Sequence, residues 1–272
     1  MPVRKAMFAS DQSFYPGGRA ALLGMLQRLV PERADASPAI AVVAPHAGYV
    51  FSGGVAGEVY SRVVVPDDVI LLSVNHGRSL GAEFALFDEG LWETPLGPVP
   101  ISDGLVQAIR QHCPMVEADP DAHAAEHSGE VHVPFLRYRN EGVRIAPINI
   151  LQSSLPALRQ LGQALARAAD AFGGPVLLVA STDMTHFEPD AAAREKDHKV
   201  IEKILALDEE AMWNTVRRFD VSMCGHDPVA AGLAYAKARG ATTAELVGYQ
   251  TSGDSPYGSR DEVVGYAGII IR

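Results

Sequence analysis

Short unbroken apolar runs alternate along this chain with longer segments whose apolar residues recur every three or four positions. The runs predict strands at 39–44, 68–74, 82–87, 143–150, 175–181, 243–250 and 263–271. The longer segments predict helices at 18–30, 53–64, 102–112, 127–139, 155–172, 190–206, 208–217 and 227–239. The pattern is clearest over 155–172, where Leu155, Leu158, Leu161, Leu165 and Ala169 mark one face of an amphipathic helix. Several runs lack the apolar–polar alternation of a half-exposed strand, which suits a sheet covered on both sides. Strand–helix alternation then predicts an α/β fold with a mostly parallel, doubly wound central sheet flanked by helices on both faces. The stretch LWETPLGPVPIS (91–102) interrupts the alternation, and its prolines and glycine read as a β excursion or turn beside the sheet. The segment PERADASP (31–38) is too short to separate domains, so residues 1–272 are read as a single domain.

Composition narrows the function classes. The chain has 272 residues, 47% of them hydrophobic and 21% charged, enough for a substantial core. Its formal net charge of −10 disfavours nucleic acid and anionic membrane surfaces as partners, because phosphate binding draws on Lys and Arg. No apolar run approaches the ~18 residues of a membrane span. The N-terminal stretch lacks the apolar core of a signal peptide. The two cysteines, Cys113 and Cys224, cannot build a disulfide framework and fit a reduced, cytoplasmic protein.

Candidate chemistry gathers at strand ends. His46 follows strand 39–44 in VVAPHAGYVFSGG, with Gly48, Gly53 and Gly54 read as easing the turn around it. His76 follows strand 68–74 in LLSVNHG, and Asp183 and His186 follow strand 175–181 in VASTDMTHF. The carboxyl edge of an open α/β sheet is where clefts form, so residues remote in sequence can converge there. Asp183 also suits a helix cap or a turn. In AEHSGEVHVPFL (125–136), a helix would put Glu126 and Glu130 on one face, with Ser128 as a possible cap. His127 or a glutamate, Glu130 among them, is then placed to handle protons in the same cleft. The alternative is a polar helix start anchored by Phe135 and Leu136. In VSMCGHDPV (221–229), Asp227 and Pro228 read as cap and first residue of a helix. Cys224 is either a small buried hydrophobe or a soft ligand or nucleophile. His112, His123 and His198 read as solvated. No GxGxxG follows a strand, and no P-loop or GxSxG elbow is present.

The motifs FYPGG, APHAGYVFSGG, NHG, TPLGPVPI, EHSGEVHVPFL, ASTDMTHF, MCGHDP and SRDEVVGYAGIII resemble, in order, those of the Memo family, which includes the B component of the AmmeMemoRadiSam system. That resemblance spans nearly the whole chain. It implies a fold similar to class III extradiol (LigB-type) dioxygenases and a metal held by His46, His76 and Cys224, with Asp183 and His186 in the same cleft. Two departures stand out: Asn75–His76 replaces a histidine pair, and His226–Asp227 follows the cysteine's glycine. Two imidazoles with a carboxylate make the facial triad of non-haem Fe(II) oxygenases, whereas two with a thiolate favour iron, copper or zinc. The expectation is an iron- or copper-dependent redox protein, dioxygenase-like, with His186 as acid–base and Asp183 orienting it. A zinc hydrolase with His186 or Glu130 as base, or a non-catalytic peptide-binding module, are the alternatives. Expected ligands are a small molecule or a peptide. Expected partners are the radical SAM and AMMECR-like components of that system.

Overall fold

Four of the predicted strands lie side by side, all parallel: β2 (Ala41–Ala44), β9 (Val176–Ser181), β3 (Asp68–Val74) and β8 (Arg144–Ile150), in that order. They form the centre of a nine-stranded sheet in a computed structural model that describes residues 2–10, 13–76 and 81–272. Every residue of β2, β3 and β9 is buried, the burial on both faces that their unbroken apolar runs demand. The edges depart from the parallel pattern. β12 (Val263–Ile271) pairs antiparallel with β2, and with β10 (His186–Glu188) and β11 (Ala244–Thr251). On the other side β4 (Phe84–Leu86) runs antiparallel to β8 and carries the short β7 (Glu117–Ala118). The excursion at 91–102 supplies β5 (Leu91–Trp92) and β6 (Val99–Pro100), which join the N-terminal β1 (Val3–Arg4) in a separate three-stranded sheet.

Helices flank the main sheet on both faces. They are α1 (Arg19–Leu29), α2 (Tyr49–Arg62), α3 (Asp103–His112), α4 (His127–Glu130), α5 (Val133–Arg139), α6 (Leu155–Phe172), α7 (Asp190–Leu205), α8 (Glu209–Arg218) and α9 (His226–Ala238). Helix α6 shows how local chemistry sets the ends. Ser154 caps its start by accepting from the Ala157 N–H, Pro156 occupies the first turn, and Gly173 ends it at φ 76°. Among the described residues, no helix is long and apolar enough to cross a membrane.

Several local expectations change. The helix expected over 127–139 is two, α4 and α5. Pro134 has no N–H to give the residue 130 carbonyl and its ring would collide with that carbonyl, so the chain re-enters helix with the proline in the first turn of α5. Glu126, not Ser128, caps α4, accepting from the Ser128 N–H. Gly225 precedes α9 in place of the expected Asp227 cap, and Asp227 instead accepts from the Ser153 N–H. His123 is buried, with Nε2 2.9 Å from the Ala85 carbonyl, and is not solvated. Gly77 of the NHG motif lies outside the described residues.

Helix α2 starts at Tyr49, so Gly53 and Gly54 sit inside it and only Gly48 serves the turn after His46. The interior glycines have a packing reason. A Cβ on Gly57 would lie 1.9 Å from the Leu29 carbonyl oxygen, and one on Gly53 2.8 Å from Leu29 Cδ1. Helix α1 therefore crosses α2 at backbone distance. Gly57→Ala should destabilise the protein by about 2–3 kcal/mol in chemical denaturation, since backbone must move. Gly54→Ala, whose Cβ meets only the Gln250 side chain at 3.9 Å, should be neutral or stabilising by up to about 1 kcal/mol.

Burial also predicts acid sensitivity. Burial pushes His123 down to about 4 and His132 down to about 3, from 6.5. Both are neutral in the fold, while an unfolded chain takes up their protons near pH 6.5. Between those values the unfolded state binds more protons, so stability falls as pH falls, starting near 6.5 and levelling below each folded value. His123 alone should cost on the order of 3 kcal/mol by pH 4. Urea titrations at stepped pH measure it, and a flat stability from pH 6.5 to 4 would contradict it.

Candidate metal centre

Because β2, β9 and β3 are adjacent and parallel, their carboxyl ends open on one edge. Ala44 of β2 is opposite Ser181 of β9, so His46, two residues beyond Ala44, hangs beside Ser181. His76 leaves β3 two residues beyond Val74. The third contributor arrives from α4. Ser128 accepts from the Val74 N–H and donates to the Val74 carbonyl, both at 3.0 Å, which pins α4 to the end of β3 and sets His127 next to His76. The His76 and His127 rings stack at 4.7 Å, and both lie edge-on to His46 at 5.5 and 5.4 Å. One nitrogen from each of His46, His76 and His127 falls within 4.8 Å of the others.

The imidazoles are held from behind. Glu126 Oε1 lies 2.9 Å from His76 Nδ1 and 3.3 Å from His127 Nδ1, while Oε2 accepts from the His76 N–H. With Nδ1–H of His76 given to the carboxylate, Nε2 carries the ring's lone pair, the usual arrangement of a ligating histidine. Burial works to raise the Glu126 carboxyl, but the hydrogen bond and charge of His76, with His127 nearby, hold it down at about 2. His46 Nδ1 lies 2.7 Å from Ser181 Oγ. Burial and the neighbouring histidines push His46 well below its usual range, so it is a neutral base. Phe14 and Phe8 pack on His127 with ring centroids at 4.5 and 5.6 Å, walling the site with the N-terminal segment.

Two further sequence-predicted residues adjoin the histidines. Cys224 Sγ is 3.2 Å from His46 Nε2 and accepts from the Asp183 N–H. Burial, then the Asp183 charge, pushes its thiol up, so without an ion it is protonated. Asp183 caps no helix. Its Oδ1 accepts from the His46 N–H at 2.8 Å and its Oδ2 stands 3.9 Å from His46 Nε2. Burial raises Asp183 to about 7, against the pull of the His46 and Ala47 N–H groups. His186 lies within electrostatic reach of His46 and His76. Its Nδ1 is 2.8 Å from the Ser222 carbonyl, which fixes the proton on Nδ1. The next residue, Phe187, has φ 59° at a register shift between β10 and β12, a bulge that re-aims the chain beside the site.

Glu130 is placed differently from the rest. Its buried carboxylate accepts from Arg4, from the Met7 and Phe8 N–H groups and from the Tyr15 hydroxyl. Those donors fill it, and it ties the N-terminal segment to α4. Glu126, four residues earlier, is the carboxylate that meets the histidines. Sequence pattern left Ser181 and His132 without a role and did not separate the two glutamates. The one available signal for Glu126 is its position just ahead of the helix, from which a capping side chain reaches forward to the Ser128 N–H.

The arrangement can hold a cation. Three imidazoles converge, Glu126 supplies a negative charge behind two of them, and a thiol and a carboxylate stand alongside. Relatives share this chain over its length. A MEMO1 family protein of Methanopyrus kandleri is 44% identical over 235 residues, 85% of this chain and 82% of its own. Another, from Pyrobaculum aerophilum, is 38% identical over 282 residues, 99% of each. A solved structure of an uncharacterized protein of Escherichia coli K12 shares the fold at TM-score 0.56 and 13% identity, covering 84% of this chain and 98% of that one. The Memo-like protein model matches residues 4–270, and with relatives this similar the chain belongs to the Memo family.

Proposed function

We propose that this protein binds Fe(II) through His46, His76 and His127 and serves as a metal-dependent oxidoreductase acting on a small organic molecule or peptide. The observation that carries the reading is the convergence of three imidazole nitrogens within 4.8 Å, with His76 and His127 backed by Glu126 and His46 by Ser181. Metal–nitrogen bonds of about 2 Å need only small side-chain adjustment from that spacing. Imidazoles suit iron, copper and zinc alike. The flanking groups favour iron: Asp183 with two imidazoles completes the donor set of non-haem Fe(II) oxygenases, and the Cys224 thiol adds a soft donor that iron or copper accepts. Bound iron would supply one-electron and O₂ chemistry. The protein's own groups then have distinct tasks. Glu126 orients His76 and His127, Asp183 fixes the His46 backbone, and His186, with its proton on Nδ1, presents a basic Nε2 at the pocket rim.

Three neutral imidazoles are also the ligand set of catalytic zinc sites, so a zinc hydrolase is the second reading. Two reduced cysteines fit a cytoplasmic location, and the radical SAM and AMMECR-like components are the protein partners proposed.

Elemental analysis and anaerobic Fe(II) titration test the site. The wild type should load one iron per chain, and His127→Ala should lose stoichiometric loading while keeping its thermal unfolding transition. Catechol-dependent O₂ uptake by the iron form supports the redox reading. Exclusive zinc loading without O₂ consumption would replace it with the hydrolase. Glu126→Gln keeps the size and one acceptor oxygen but removes the charge, and should weaken metal binding about 10–100-fold.

A further inference from the structure

Ser181 is buried at the end of β9, between the two strands that deliver His46 and His76. It has three hydrogen-bonding partners and one proton. Its Oγ donates to the Ser128 carbonyl at 2.7 Å, lies 2.7 Å from His46 Nδ1, and lies 2.8 Å from His132 Nε2. A carbonyl oxygen can only accept, so the single hydroxyl proton goes to Ser128. The two remaining contacts use the oxygen's lone pairs, and both ring nitrogens must donate. The other side of His132 is compatible with this. With its proton on Nε2, the ring has a lone pair on Nδ1 that accepts from the Tyr60 hydroxyl 2.9 Å away.

The geometry points to Ser181 as a tautomer lock for the metal centre. It holds the His46 proton on Nδ1 and so keeps the Nε2 lone pair aimed at the ion. The whole chain is fixed in direction: Tyr60 to His132, His132 to Ser181, His46 to Ser181, Ser181 to Ser128. It ends on a backbone carbonyl that cannot pass a proton on, so it is a lock and not a proton wire. Without Ser181, the His46 proton is free to sit on Nε2, where Cys224 Sγ waits at 3.2 Å as an acceptor, and a ring in that state has no lone pair to offer. Ser181 thus acts through His46 as a positioning residue. Glu126 does the same for His76 from the opposite side, by charge where Ser181 does it by lone-pair count.

The role in metal binding rests on the reading of His46 as a ligand, but the lock itself is readable without any ion. Two-bond ¹H–¹⁵N correlation on ¹⁵N-labelled metal-free protein reports which ring nitrogen carries the proton, with His46→Gln and His132→Gln assigning the signals. In the wild type, His46 should be the Nδ1–H form and His132 the Nε2–H form. In Ser181→Ala, His46 should move wholly or partly to Nε2–H, and Co(II) affinity, followed by ligand-field absorbance, should fall about 10–100-fold. Tyr60→Phe should leave His46 as Nδ1–H, because Ser181 keeps its acceptor role toward it. A wild-type His46 protonated on Nε2 overturns the lock even if Ser181→Ala does not fold, as does an unchanged His46 signal in a folded Ser181→Ala. A locked His46 in a wild type that binds no Co(II) would sink the metal reading and leave the lock standing.

Discussion

Everything at the candidate site depends on the parallel register of β2, β9 and β3. Backbone hydrogen bonding sets Ala44 against Ser181 and Leu72 against Ala180. A slip of one residue would turn every side chain to the opposite face of the sheet. Because these strands are buried on both faces, no apolar-in, polar-out alternation sets that register; it rests on how side chains pack on each face and on the polar groups that end the runs. Strand ends levelled this way place His46, Ser181 and His76 in a row before any side-chain interaction is counted. Ser128, bonded to both polar groups of Val74, then extends the same frame to His127.

That frame brings together groups that repel one another when charged. His46 is depressed by burial and by the nearby histidines, which leaves it an uncharged base. Glu126 is the charge that offsets the crowding, and it is itself kept ionised by the rings it contacts. The polar groups are thus organised for a ligand of positive charge: lone pairs inward, protons outward, an anion behind. An apolar or anionic ligand would gain nothing from this polarity, whereas a divalent cation would satisfy all of it.

Much of the frame was legible in the sequence. Strands 68–74 and 263–271 have the ends their apolar runs predict, and His46 and His76 stand just beyond the runs at 39–44 and 68–74. Period-two and period-3.6 patterns report burial, which dominates strand and helix choice. What escaped was set by tertiary contact. Nothing local shows that Gly53 and Gly57 admit Leu29 or that α2 begins at Tyr49, four residues ahead of the expected start. The histidine His123 reads as solvated because the side sheet whose Arg4 and Trp92 cover it is assembled from two segments remote in sequence. The antiparallel edges of the sheet were likewise hidden, since strand direction is decided by connections and not by the apolar run itself.

The two glutamates of α4 show most sharply why residue type alone does not assign a role. Glu126 and Glu130 are four residues apart, both buried, in a segment where either could handle protons. The N-terminal strand decides between them. Arg4, on β1, places its guanidinium 2.7 Å from Glu130 while also donating to the His123 and Glu126 carbonyls. A buried charge stripped of such a partner costs several kcal/mol, so the Glu130 carboxylate is committed to the fold. The Phe8 N–H and the Tyr15 hydroxyl join it, so residues on both sides of Phe8 and Phe14 are anchored at α4. Phe8 and Phe14 are the rings that pack on His127. Glu130 therefore shapes the candidate metal centre without touching it. It holds the wall against which His127 rests, while the Glu126 carboxylate is given over to the histidines.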